Sequence, residues 1–155
     1  MSESIGKKAE RKIREWLDRP DSGNYFYRIP DQVSGFLGST NPCDFFLYKY
    51  PEFYGIESKA TEQDRFDFSM ISDYQRQELL RCAQVPHAHG IVIVLFATYK
   101  RAFVLDIKDI DALWSSGVKS LNITKISKWP IPYKEIATLP SRKELLDYDP
   151  SQSIF

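Results

Sequence analysis

Apolar residues recur at three- and four-residue steps at the start of the chain. Ile5, Ala9, Ile13, Trp16 and Leu17 fall on one stripe, which predicts a helix from about Glu3 to Asp18, stopped by Pro20. The pattern then changes period. Asn24–Ile29 is an aromatic, β-prone run, and a Gly- and Ser-bearing loop follows from Pro30 to Pro42. Asp44–Tyr48 and Tyr54–Ala60 read as two strands joined through Lys49–Phe53, with Pro51 expected to break regular pairing. Ser69 or Ser72 can cap a second helix that runs to about Gln84 and ends at Val85-Pro86. Ile91–Thr98 is continuously apolar, as a strand covered on both faces would be, and Tyr99-Lys100-Arg101 turns it back into Ala102–Asp106. A short helix is expected around Lys108–Ser115. The remainder, 116–155, should wrap irregularly apart from a helix near Arg142–Tyr148. This order gives an α/β fold, a central mixed β-sheet flanked by helices, in a single domain over residues 1–155.

Composition narrows the class. With 43% hydrophobic and 14% aromatic residues the chain can bury a core, and no window approaches the roughly 18 apolar residues that span a bilayer. The charged, amphipathic N-terminus lacks the apolar stretch of a secretory signal, and only Cys43 and Cys82 carry thiols. The expectation is a cytoplasmic protein with reduced cysteines and no membrane partner. Net charge is zero, from 21 basic and 21 acidic residues, which gives no general attraction to nucleic acid. The distribution is uneven, however. Residues 3–19 hold six basic and four acidic groups, 95–128 hold six and three, and 41–85 hold five and eight. An acidic centre between more basic flanks suits a cation site offered to a polyanion, although ordinary solvated surface gives the same counts.

The chemistry-bearing stretch is Asn41-Pro42-Cys43-Asp44, then twelve residues, then Glu57-Ser58-Lys59. Alternation on a strand puts Glu57 and Lys59 on one side, about 7 Å apart, with Ser58 and Ile56 on the other. If the two strands pair as a hairpin, Asp44 and Glu57 meet near one edge. Two carboxylates there form a hard oxygen site for Mg²⁺ or Mn²⁺, and Lys59 can orient a water or offset charge on a phosphate. Taken alone, the spacing fits an ordinary surface hairpin equally well. Two helical residues add context. Glu10 lies at the border of the first stripe, where Arg14 at i+4 offers an alternative partner. Gln75 lies four residues from both Ile71 and Leu79, and an amide on a buried stripe needs a polar partner.

With GKKAERKI, NPCDF, GIESKAT and FDFSMISDYQ in this order, the chain resembles the PD-(D/E)XK nuclease superfamily and, within it, RecU-type Holliday junction resolvases of bacteria and phages. The likeness spans roughly Gly6 to Tyr148. It implies a restriction-endonuclease-like core and a Mg²⁺-dependent endonuclease that resolves four-way junctions by paired symmetric cuts as a homodimer. It also implies catalytic roles for Glu10, Asp44, Glu57, Lys59 and Gln75. Asp44 and Glu57 would bind metal, with the Ser58 backbone carbonyl and Glu10, through water, as further ligands. The loop at 30–41 becomes a junction-probing element. The same core acting on another DNA substrate, in restriction, repair or replication-end cleavage, is the alternative.

DNA contact would fall to Lys7, Lys8, Arg11, Arg14, Lys100 and Arg101. Tyr25 to Tyr27 and Phe36 could stack on exposed bases, though such residues more often pack. His87 and His89 lack partners at zinc spacing. Asp106, Asp109 and Asp111 fit a helix N-terminus.

Overall fold

The computed structural model of the chain describes residues 3–18, 23–31 and 41–136. The expected 142–148 helix, most of the 30–41 loop and the C-terminal tail lie outside them.

Helix α1 (Ile5–Leu17) starts at Ser4, whose side chain accepts the Lys7 N–H, and it buries the predicted stripe residues Ala9, Ile13, Trp16 and Leu17. The strands are β1 (Tyr25–Arg28), β2 (Phe45–Lys49), β3 (Glu52–Thr61), β4 (Arg65–Asp67), β5 (Ala88–Phe96), β6 (Arg101–Asp106), β7 (Ser120–Asn122) and β8 (Lys134–Ile136). Two further α-helices, α2 (Asp73–Ala83) and α3 (Ile107–Ser115), and three short 3-10 turns at Phe68–Met70, Ala97–Tyr99 and Ile123–Lys128 accompany them. Six strands form one sheet in the order β1-β2-β3-β5-β6-β8, and β4 and β7 pair separately. Only the β3–β5 pairing is parallel in the large sheet; the others are antiparallel. The expected mixed sheet between helices is thus what forms.

Strand alternation divides the core into two layers. Phe45, Leu47, Ile56, Ile91, Ile93 and Leu95 pack toward α1. Val92, Val94, Phe103 and Leu105 pack the other way, with Leu79 of α2 and Ile107 and Ile110 of α3. The central strand β5 is buried over its last seven residues because it feeds both layers, which explains its continuous apolar sequence. Gly90 of β5 is forced by this packing. A Cβ there would stand 2.5 Å from the Leu79 carbonyl oxygen and 2.9 Å from Ile107 Cγ2.

Three expectations need correction. Pairing of β2 with β3 continues to Lys49–Glu52, so Pro51 does not break it. Pro51 lies in the tight turn, after a cis Tyr50–Pro51 bond, where the ladder asks for no N–H. Residues 116–136 do not simply wrap. They supply β7 to the small sheet and β8 to the edge of the large one. Asp106 caps α3 by accepting the Lys108 N–H and Asp109 lies in its first turn, but Asp111 instead binds Arg76 of α2.

Candidate active site at the β2–β3 hairpin

The β2–β3 register sets Phe45 opposite Ile56, so Asp44, one residue before β2, comes level with Glu57. Two hydrogen bonds hold it there. The Asp44 N–H donates to the Ile56 carbonyl at 3.0 Å, and Asp44 Oδ2 accepts the Ser58 N–H at 2.8 Å. Glu57 is 2% exposed, and Lys59, two residues on and on the same side of β3, places Nζ 2.9 Å from Glu57 Oε2. Gln75 reaches the same oxygen from α2, its Nε2 donating at 3.0 Å. Gln75 Oε1 in turn accepts the Ser72 N–H, while Ser72 Oγ accepts the Gln75 N–H, so a capping box orients the amide. The other Glu57 oxygen, Oε1, is buried without a hydrogen-bond partner.

The electrostatics follow from this crowding. Burial, and then the neighbouring Asp44, push the Glu57 carboxyl up to about 8 from 4.5, against the pull of Lys59. Asp44 is also raised, chiefly by burial, with the Ser58 N–H and Lys59 opposing. Burial and mutual repulsion thus favour the protonated form at this pair, most strongly at Glu57. A divalent cation would reverse that preference. It would also satisfy the orphaned Oε1, so the donor set fits a hard cation.

Four of the five residues expected at the site therefore converge: Asp44, Glu57, Lys59 and Gln75. Glu10 stands apart. Its carboxylate lies 3.5 Å from Arg28 Nη2, and no three His, Cys, Asp or Glu side chains among the described residues are grouped closely enough to hold a metal. Its partner is thus Arg28 and not the Arg14 that helical spacing offered. Burial, and then Asp44, nonetheless raise the Glu10 carboxyl, which places it within electrostatic reach of the site.

Of the residues expected to touch DNA, Lys7, Arg11 and Arg14 line one groove beside α1. Arg101 is held by Glu135 at 2.6 Å, and Lys100 takes the left-handed position of the β5–β6 turn. Of the run Tyr25 to Tyr27, Phe26 packs against the core beside Phe45, whereas Tyr25 and Tyr27 are exposed, 64% and 45%. His87 and His89 both point a ring nitrogen at Glu52.

Two contributors escape a reading by spacing. Arg28 ends the aromatic run of β1, and strand alternation puts it beside the half-buried Phe26, but its partners come from other elements. Arg76 pins α2 to α3, with Nε 2.7 Å from Asp111 Oδ1 and its guanidinium 4.3 Å above the Trp114 ring.

A model of the family described as RecU, recombination protein U, matches residues 33–143, which is 111 of the chain's 155 residues and includes Asp44, Glu57, Lys59 and Gln75. The chain belongs to the RecU family. No curated protein matches this RecU-family chain. Among solved structures it is similar to Archaeoglobus fulgidus Hjc, a Holliday junction resolvase from an archaeal hyperthermophile. That likeness has 16% identity and a TM-score of 0.49, and it covers 79% of this chain and 99% of the other.

Proposed function

We propose that this RecU-family protein is a Mg²⁺-dependent endonuclease, with Mn²⁺ able to substitute, that resolves four-way DNA junctions by paired symmetric cuts as a homodimer. Family membership supports Holliday junction resolution. The observation that supports the metal-dependent chemistry is the buried Glu57 carboxyl, which faces Asp44, is engaged on Oε2 by Lys59 and Gln75, and has no hydrogen-bond partner for Oε1 among the described residues. Asp44 and Glu57 Oε1 would hold the cation, with the Ser58 backbone carbonyl as a further ligand.

When bound, the cation supplies Lewis-acid activation of the phosphate and of the attacking water. The remaining work falls to the chain. The Ser58 N–H fixes the Asp44 carboxylate through one oxygen and leaves the other for the ion. Gln75 and Lys59 fix Glu57 through Oε2 and leave Oε1 without a hydrogen-bond partner among the described residues. Lys59 brings a positive charge to where negative charge gathers on the phosphate, or orients the water that displaces a sugar oxygen. Its side chain is only 17% exposed, so little water screens that charge.

The test is cleavage of a synthetic four-way junction in Mg²⁺, beside a linear duplex of the same sequence. Symmetric cuts in opposing strands of the junction, with the duplex largely intact, are expected. Equal cutting of both would overturn junction selectivity and favour another DNA substrate for the same core. A monomer by sedimentation at micromolar concentration would overturn paired cutting. Among the described residues no helix is long and apolar enough to cross a membrane.

A further inference from the structure

A groove of about 370 Å³ runs between α1 and the end of β1. Lys7, Arg11 and Arg14 line it at i, i+4 and i+7 of the helix, which makes them one continuous ridge. Arg11 is committed elsewhere, held at 3.1 Å by both Glu3 and Glu15. Lys7 and Arg14 are exposed. Arg28 also lines the groove, together with the carboxylates Glu3, Glu10 and Asp31.

The position of Arg28 is informative. Its neighbour Ile29 donates its N–H to the Asp44 carbonyl at 2.9 Å, so the backbone that carries Arg28 abuts the site. The guanidinium is shared between two carboxylates, with Nη2 3.2 Å from Asp31 and 3.5 Å from Glu10. Neither partner makes a strong lock. Asp31 is 83% exposed, Arg28 itself 32%, and ion pairs in such surroundings contribute little. A phosphate offers the planar guanidinium a bidentate partner that two separate carboxylates do not.

We propose that Arg28 is a phosphate clamp, parked on Glu10 and Asp31 in the free protein and transferred to the DNA backbone when substrate arrives. Lys7 and Arg14 continue the phosphate track along α1, so the strand entering the site is held on this side of the sheet. The groove residues lie ahead of the stretch that the family model matches. The proposal rests on the endonuclease reading and names the path by which its substrate reaches Asp44 and Glu57.

The experiment is equilibrium binding of the full-length protein to a four-way junction and to a linear duplex, in EDTA, over a range of salt. Arg28→Ala, Lys7→Ala and Arg14→Ala should each weaken binding and flatten the slope of log K against log salt by about one. Arg28→Lys should keep the slope and lose part of the affinity, because charge remains and the fork does not. Lys119→Ala, an exposed lysine on the loop before β7, should match wild type. Asp31→Asn should tighten binding several-fold by releasing the clamp, and that gain should vanish in the Arg28→Ala background. Unchanged slopes in the three groove variants, or an Asp31→Asn gain that persists without Arg28, would overturn the proposal. Equal wild-type affinity for junction and duplex would instead overturn junction selection, and the slopes measured on duplex would still decide the groove.

Discussion

Gln75 is gripped at both ends of its amide, with Nε2 on Glu57 Oε2 at 3.0 Å and Oε1 on the Ser72 N–H at 3.1 Å. The start of α2 and the buried carboxyl are therefore positioned by one side chain. Replacing Gln75 by Leu should remove both contacts. About 1 kcal/mol of stability should be lost with the cap, and cleavage should fall because Glu57 loses a fixed hydrogen bond. Ser72→Ala breaks only the Oγ half of the box, so it should cost similar stability and leave cleavage near wild type. Thermal melting and junction cleavage on the two variants separate the outcomes. Equal loss of cleavage in both would mean that the cap alone matters.

The Glu57 carboxyl is pushed up to about 8 by burial and by Asp44, from 4.5. Between those values the folded protein binds more protons than the unfolded chain, so stability should fall as pH rises through that window. Below about pH 4.5 both states are protonated and the contribution is intact. Above about 8 it is gone. Glu57→Gln should flatten the metal-free melting profile, with a residual slope from Asp44, which is raised in the same direction. Added Mg²⁺ should stabilise wild type more at pH 8.5 than at pH 6, where it must displace a proton. A profile unchanged by Glu57→Gln would contradict the assignment.

Lys59 stands 2.9 Å from Glu57 and holds that carboxyl lower than it would otherwise be. Lys59→Met should cut the cleavage rate on the order of 10²–10⁴-fold. It should also move the pH at which Glu57 titrates upward, readable as a shifted melting profile. Asp44→Asn should abolish cleavage while junction binding in Ca²⁺ survives. Retained cleavage in either variant would place the chemistry elsewhere.

Gly90 lies under α2 with no room for a methyl group, whereas a Cβ on Gly55 would meet Leu79, Cys43 and Cys82 at ordinary distances of 3.5–3.7 Å. Gly90→Ala should destabilise by roughly 1–3 kcal/mol and lift α2 off β5. Because α2 carries Gln75, cleavage should drop as well. Gly55→Ala should be nearly neutral in denaturant titration. Comparable losses at both positions would rule out the close approach as the cause.

The site was legible in the sequence where one element decided geometry alone. Strand alternation placed Glu57 and Lys59 together, and helical spacing turned Gln75 toward them. Hairpin pairing brought Asp44 level with Glu57. What spacing could not show depends on contacts between elements. Glu10 had Arg14 within helical reach, but Arg28 of β1 stands opposite in space and takes it. β4, β7 and β8, at three residues each, are too short to display a period of two. Pro51 looked like a breaker because a sequence does not show on which residue a turn will close.

The parallel pairing of β3 with β5 also orders events in time. The β2–β3 hairpin is local in sequence and can pair before β5 docks, with Glu57 still hydrated. α2 lies in the connection between β3 and β5, so Gln75 meets Glu57 only when that connection folds back and β5 pairs. Stripping water from Glu57 is therefore expected late in folding, after the transition state. Removing the charge with Glu57→Gln should accordingly slow unfolding at pH 9 and leave the refolding limb of a chevron plot unmoved. On this account the buried Glu57 carboxylate shortens the lifetime of the metal-free native state, an effect that a bound cation should remove.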